Sequence, residues 1–242
     1  MRLSPLSAML FASAIAAVGV SVAFPFPLQF SSLCGDLSRV ALKDFPALLD
    51  PETIIALFSG WLAMLAAMMP PLLLQPLNVV WRLSPRTRRA RAVALFCTSY
   101  LTIWAALGPL LISAAISMRS LLGLAALPAA MAASMVWSAS PLCQAMRNRC
   151  HRTRHVGAVG IAADCDCLIF GLTYGLTCAG VCWPWMVAVM TVGKGHTMAM
   201  AATAVILFAD RSAFPACSRW QAPPFLRFLR PQPRAQTALG RL

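Results

Sequence analysis

Cys178, Cys182, Met186 and Met190 recur at every fourth position of one apolar segment. Each step of four turns a helix by about 400°, so the four sulfurs stay within about 120° of one another on one face. Thiolate and thioether are soft donors suited to Cu(I), and thiolate also takes Zn(II). A second apolar segment offers Met64 and Met68, with Met69 beside them. If the cytoplasmic ends of the two helices lie near Leu77 and Leu168, Met68 and Cys178 each sit about 14 Å deep, at 1.5 Å per residue. Met64 and Cys182 then lie level at about 20 Å, and a four-donor sulfur site between the helices is geometrically feasible. Methionine is also a common helix filler and paired cysteines also pack, so both readings stand on these residues alone.

A second constellation begins at Ser140-Pro141-Leu142-Cys143 and continues through Met146, Cys150, His151 and His155. Met146 and Cys150 are four apart, as are His151 and His155, so each pair shares a helical face. Asp164-Cys165-Asp166-Cys167 follows. Cys/His clusters bind zinc or copper, and the imidazoles must be neutral to do so, which weakens binding at low pH. The spacing matches no zinc-finger pattern, and Arg147, Arg149, Arg152 and Arg154 repel a cation. A basic loop with incidental thiols is therefore the competing reading. His196, ahead of Met198 and Met200, reads as a loop residue or a gateway for metal. Cys97 is explained by packing.

Donors at such depths need apolar helices to hold them. Of 242 residues, 60% are hydrophobic and 11% charged, where a soluble domain carries roughly 25% charged. With a mean hydropathy of +0.73, polar side chains are too few to coat a globule. The expected fold is an all-α, polytopic membrane helix bundle over residues 1–211. Its six transmembrane helices fall at about 5–24, 53–77, 92–115, 121–138, 168–192 and 197–209, near the 20 residues that a bilayer requires, with the last borrowing flanking residues. The first helix is expected to be uncleaved: its basic region is only Arg2, and no Ala-x-Ala site follows.

The basic residues set the orientation. With both termini cytoplasmic, sixteen lie on inner segments and four (Arg39, Lys43, Arg119 and Lys194) on outer ones, as the positive-inside rule predicts. The net charge of +13 thus records topology and contact with an anionic inner leaflet. Nucleic-acid binding becomes an unnecessary hypothesis. The 28–52 loop, with Cys34 and four of the seven acids, faces outward. Residues 212–242 read as a basic, proline-containing cytoplasmic tail, partly disordered, in which residues 225–230 could lie on the membrane surface.

Backbone cues mark the sulfur segments. Pro70-Pro71 follows Met69, and Pro184 follows Cys182. Each proline removes a helical hydrogen bond and frees a carbonyl, such as that of Gly180. In lipid that carbonyl needs a neighbouring helix, water or an ion. Gly171, Gly175 and Ala179 form a small-residue stripe that lets another helix approach closely.

These same residues resemble a bacterial family of predicted metal-binding integral membrane proteins, a domain of unknown function. Trp61-Leu62-Ala63-Met64-Leu65-Ala66-Ala67-Met68-Met69-Pro70 is similar to its tryptophan and Ala-Met-Met-Leu-Pro segment, and Ser99-Tyr100-Leu101-Thr102-Ile103-Trp104 to its Gly-Tyr-Leu-x-x-Trp segment. Ser140-Pro141-Leu142-Cys143 with Met146 and Cys150 maps onto its Thr-Pro-Leu-Lys and two following cysteines. Cys178-Ala179-Gly180-Val181-Cys182-Trp183, with Met186 after it, maps onto Cys-Leu-Gly-Cys-Cys-Trp, and Asp210-Arg211 onto a closing Glu-Lys. The likeness covers about residues 55–211. It departs where Cys143 replaces a lysine and where Met146 and Val181 replace cysteines, a loss that weakens a zinc site more than a copper site. The resemblance implies metal binding and a multi-pass place in the bacterial inner membrane.

The leading expectation is binding of a soft metal, Cu(I) before Zn(II), for transfer, delivery or transport. Its partners are the bilayer, a metal donor or acceptor protein or membrane complex, and a second copy of the chain. The alternative is a metal-free membrane subunit or assembly factor acting through helix packing. An enzyme is the weakest class. No Asp, Glu, Lys or His occurs within 92–115 or 168–192 to serve acid–base chemistry or a proton relay. No phosphate loop supports nucleotide-driven transport.

Overall fold

The computed structural model describes residues 51–152, 157, 160–193 and 195–228. The expected first span, residues 28–50 of the expected outer loop with Cys34, His155, and residues 229–242 lie outside the described residues, and Pro51 and Glu52 of that loop open a helix. Every described element is a helix: α1 (Pro51–Met68), α2 (Pro70–Leu83), α3 (Arg89–Leu122), α4 (Ala126–Ala139), α5 (Pro141–Cys150), α6 (Gly160–Thr191), α7 (His196–Ser212) and α8 (Pro224–Phe228), with a 3-10 turn at Gly123–Ala125.

Two helical stretches, Arg89–Ala139 and Gly160–Thr191, are long and apolar enough to cross a membrane. The pair Leu57–Met68 and Pro70–Leu83, bent by 67°, makes a third if counted as one span. Pro70 and Pro71 cause the bend: they begin α2 without amide hydrogens to continue the ladder of α1. The long α3–α4 stretch folds back on itself. Gly123, at φ 53° and ψ −120°, adopts a backbone that side chains disfavour, and α4 returns so that Trp137 meets Gly180 and Trp183 of α6.

The core is the pair α3 and α6, about 51 and 48 Å long at 1.5 Å per residue. They run parallel: Phe96 and Ser99 face Gly171, Tyr100 and Ile103 face Gly175, and Arg119 faces Gly193. The small-residue stripe therefore lies against α3 of the same chain. Arg88 and Arg91 pair with Asp164 and pin the helix starts together. α1 and α2 run the opposite way, with the Trp61 indole donating to the Trp104 carbonyl at 2.9 Å. α7 also runs antiparallel to α6, which brings Arg211 onto Tyr174.

The described part of the expected tail packs back on the bundle. The Gln221 amide donates to the Ala139 carbonyl, and Asn148 exchanges two hydrogen bonds with Ala216. Phe225 stands edge-on to Trp185 at 5.8 Å, and its amide donates to Asp210.

Candidate metal site

Cys178 and Cys182 lie one turn apart on α6, both buried, with their Sγ atoms 4.0 Å apart and unbonded. At metal–sulfur bonds of about 2.3 Å, that separation subtends about 120° at an ion between them. A trigonal angle leaves room for a third donor. The Tyr100 hydroxyl stands over the pair, donating to Met69 Sδ at 3.2 Å and lying 3.4 Å from Cys178 Sγ. Since the phenol has one proton, donation to Met69 leaves its oxygen to accept from the Cys178 thiol. Met69, from the break between α1 and α2, thus sits opposite Cys178 in the position expected of its neighbour Met68. Met64, Met68 and Met186 are buried in the same core.

The prolines fix this arrangement through the carbonyls that they free. Pro184 leaves the Gly180 carbonyl without its helical donor, and the Trp137 indole of α4 supplies one at 2.9 Å. Pro76 does the same to Leu72, whose carbonyl accepts the Tyr174 hydroxyl at 3.1 Å. Both groups are satisfied by neighbouring helices, as a low-dielectric interior demands. Each bond also fixes an aromatic ring on its partner helix, Trp137 against Gly180 and Trp183 and Tyr174 against Leu72.

The second constellation is carried to the same place. Ser140 caps α5, its hydroxyl accepting from the Cys143 amide at 3.1 Å with Pro141 following. The helix then lies across the middle of α6, with the Met146 thioether pressed against Gly180 and Cys150 reaching Thr177 and Arg211. Cys143 is turned elsewhere, to the Arg147 guanidinium at 3.5 Å. Burial pushes its thiol up to about 11 despite that cation, so it stays protonated at neutral pH. Burial, and then Arg211, hold His151 below the usual imidazole range. Met146 and Cys150, which the sequence separates from the intramembrane group, thus share its neighbourhood.

Among the described residues, no three or more His, Cys, Asp or Glu side chains come together as a metal-holding group. The described residues present the Cys178–Cys182 thiol pair with the Met69 thioether across the Tyr100 hydroxyl from it, a soft set suited to Cu(I). Asp164 and Asp166 are occupied with Arg88, Arg91 and the Gly157 amide. His196 stands apart, at the start of α7.

Several neighbours have no role that their place in the sequence assigns. Tyr100 and Tyr174 belong to an aromatic cluster on α3 and α6. Arg147 and Asp210 form a buried ion pair at 3.5 Å, and Arg211 lies over the Tyr174 ring at 4.7 Å. A usable signal existed: Asp210-Arg211 ends an apolar helix, and ionisable groups in such segments mark function or partners.

A family model described as PpoB2, a copper chaperone, matches residues 58–224, a stretch that contains Met64, Met69, Met146, Cys150, Cys178, Cys182 and Met186. No curated protein and no solved structure matches the chain.

Proposed function

Because the chain belongs to the PpoB2 copper-chaperone family, we propose that it is an integral membrane protein that binds Cu(I) and hands it on. The observation that carries this reading is the buried Cys178–Cys182 pair at 4.0 Å, with Tyr100 and Met69 beside it. Cu(I) is the cargo, and Zn(II) is the secondary ion. On loading, the two thiols give up their protons and the thiolates take the ion, with a thioether of Met69, Met146 or Met186 as the third donor. Transfer proceeds by exchange of one sulfur for another, so the ion is never released into water. Met146 and Cys150 on α5 form the exchange route, with Cys143, His151 and His155 further along the same segment.

The chain crosses the bacterial inner membrane six times with both termini cytoplasmic, and its arginine-rich segments meet the anionic leaflet. Its partners are a copper donor or acceptor, a membrane complex that receives the metal, and a second copy of the chain. The metal-free assembly-factor reading is less favoured because the glycine stripe that would dock a partner is filled by α3.

The test is anaerobic purification in detergent followed by Cu(I) loading. About one copper per chain, lost in Cys178→Ser/Cys182→Ser, is the expected result. A double variant that binds as much copper as the wild type sinks the reading.

A further inference from the structure

Arg211 is 8% exposed, and among the described residues its Nε and Nη2 have no hydrogen-bond partner. Its guanidinium lies over the Tyr174 ring, beside Cys150 and within electrostatic reach of Cys178 and Cys182. Among the described residues no carboxylate pairs with it. Asp210, its sequence neighbour, is taken by Arg147 and by the Phe225 amide. Arg147 and Asp210 cancel. Among the described residues the neighbourhood therefore carries an uncompensated positive charge. A buried, unpaired cation is expensive, so the pocket is built for an anion.

We infer that Arg211 is the counter-cation of the metal-loaded site and selects a monovalent over a divalent ion. This rests on the copper reading above. Two thiols that lose their protons to solvent become two thiolates. With Cu(I) the resulting complex carries a net charge of −1, which Arg211 neutralises. With Zn(II) the same complex is neutral, and Arg211 stays unpaired. The ligand set is the same for both ions; the buried charge discriminates between them, in the way that an unpaired charge rejects the wrong partner elsewhere. Arg211 is a positioning and charge-setting residue, not a ligand.

The test is competition of Cu(I) and of Zn(II), separately, against chelators of known affinity, on the anaerobic full-length protein. Arg211→Gln should lower Cu(I) affinity by roughly tenfold or more while Zn(II) affinity holds or rises, since only the charged complex loses a Coulomb partner. Arg211→Lys should restore most of the preference. Zn(II) retained by Arg211→Gln shows that its site is intact. If that variant does not fold, Tyr174→Glu against Tyr174→Gln decides: the carboxylate, beneath the guanidinium, pairs Arg211 permanently and should cut the Cu(I)-to-Zn(II) preference where the amide does not. A preference within about twofold of wild type in Arg211→Gln, or in the glutamate–glutamine comparison, overturns the inference. Failure of the wild type itself to bind Cu(I) overturns the copper reading instead.

Discussion

Gly171→Ala tests the close approach of α3 and α6 on which the sulfur geometry depends. A Cβ at Gly171 would fall on the Ser99 hydroxyl and the Phe96 carbonyl oxygen, with the Phe96 carbonyl carbon at 3.2 Å. The hydroxyl can rotate away, but the carbonyl belongs to the helix and cannot. Restoring ordinary carbon–oxygen contact requires the helices to part by about 1 Å. Overpacking of this kind costs about 1–3 kcal/mol, a factor of roughly 5 to 150 in the folding equilibrium. The same displacement separates Tyr100 from Cys178, now 3.4 Å apart, beyond hydrogen-bonding range. Gly175→Ala is the matched control: its Cβ meets Ile103 at 3.1 and 3.2 Å and the Tyr100 carbonyl at 3.4 Å, which a few tenths of an ångström relieve. Thermal unfolding in detergent, run beside a Cu(I) competition titration, should rank wild type above Gly175→Ala and both above Gly171→Ala. A Gly171→Ala protein as stable as Gly175→Ala, with unchanged copper affinity, would refute the register of the two helices.

Tyr100→Phe removes the hydroxyl that contacts Met69 and Cys178, and should cost about 0.5–1.5 kcal/mol of stability while retaining copper stoichiometry, by unfolding and metal quantification. Arg147→Met leaves Asp210 buried and unpaired at 2% side-chain exposure; the expected loss is about 3–5 kcal/mol, smaller in Arg147→Met/Asp210→Leu, and equal losses would deny the pairing. His151 binds its proton less readily in the fold than in the unfolded chain, so between the two midpoints the unfolded chain holds more protons and stability rises with pH. That contribution is full above the ordinary imidazole midpoint of about 6.5 and is lost as pH falls through the lowered one. Unfolding midpoints followed from pH 7.5 downward should lose part of this acid slope in His151→Gln.

The donors themselves were legible in the chain. Cys178, Cys182 and Met186 at every fourth position share a face because of helix geometry alone, and Pro184 announces a freed carbonyl wherever α6 packs. The apolar helices around them follow from composition. What one dimension does not hold is which helix answers a given group. That Trp137 takes the Gly180 carbonyl, and that Tyr174 takes that of Leu72, depends on a chain reversal at Gly123 and on the parallel register of α3 and α6. The polar pattern of α5 reads as a loop outside the bilayer, yet Met146 and Cys150 lie against α6, because Gly180 leaves a hollow that only a neighbouring helix can fill. Arg211 sits 29 positions or more from the nearest of the paired cysteines in sequence, and its charge matters only because antiparallel α7 returns it to their level. Local periodicity sets which residues share a face; long-range contacts, each needing two distant segments at one depth, set what that face meets.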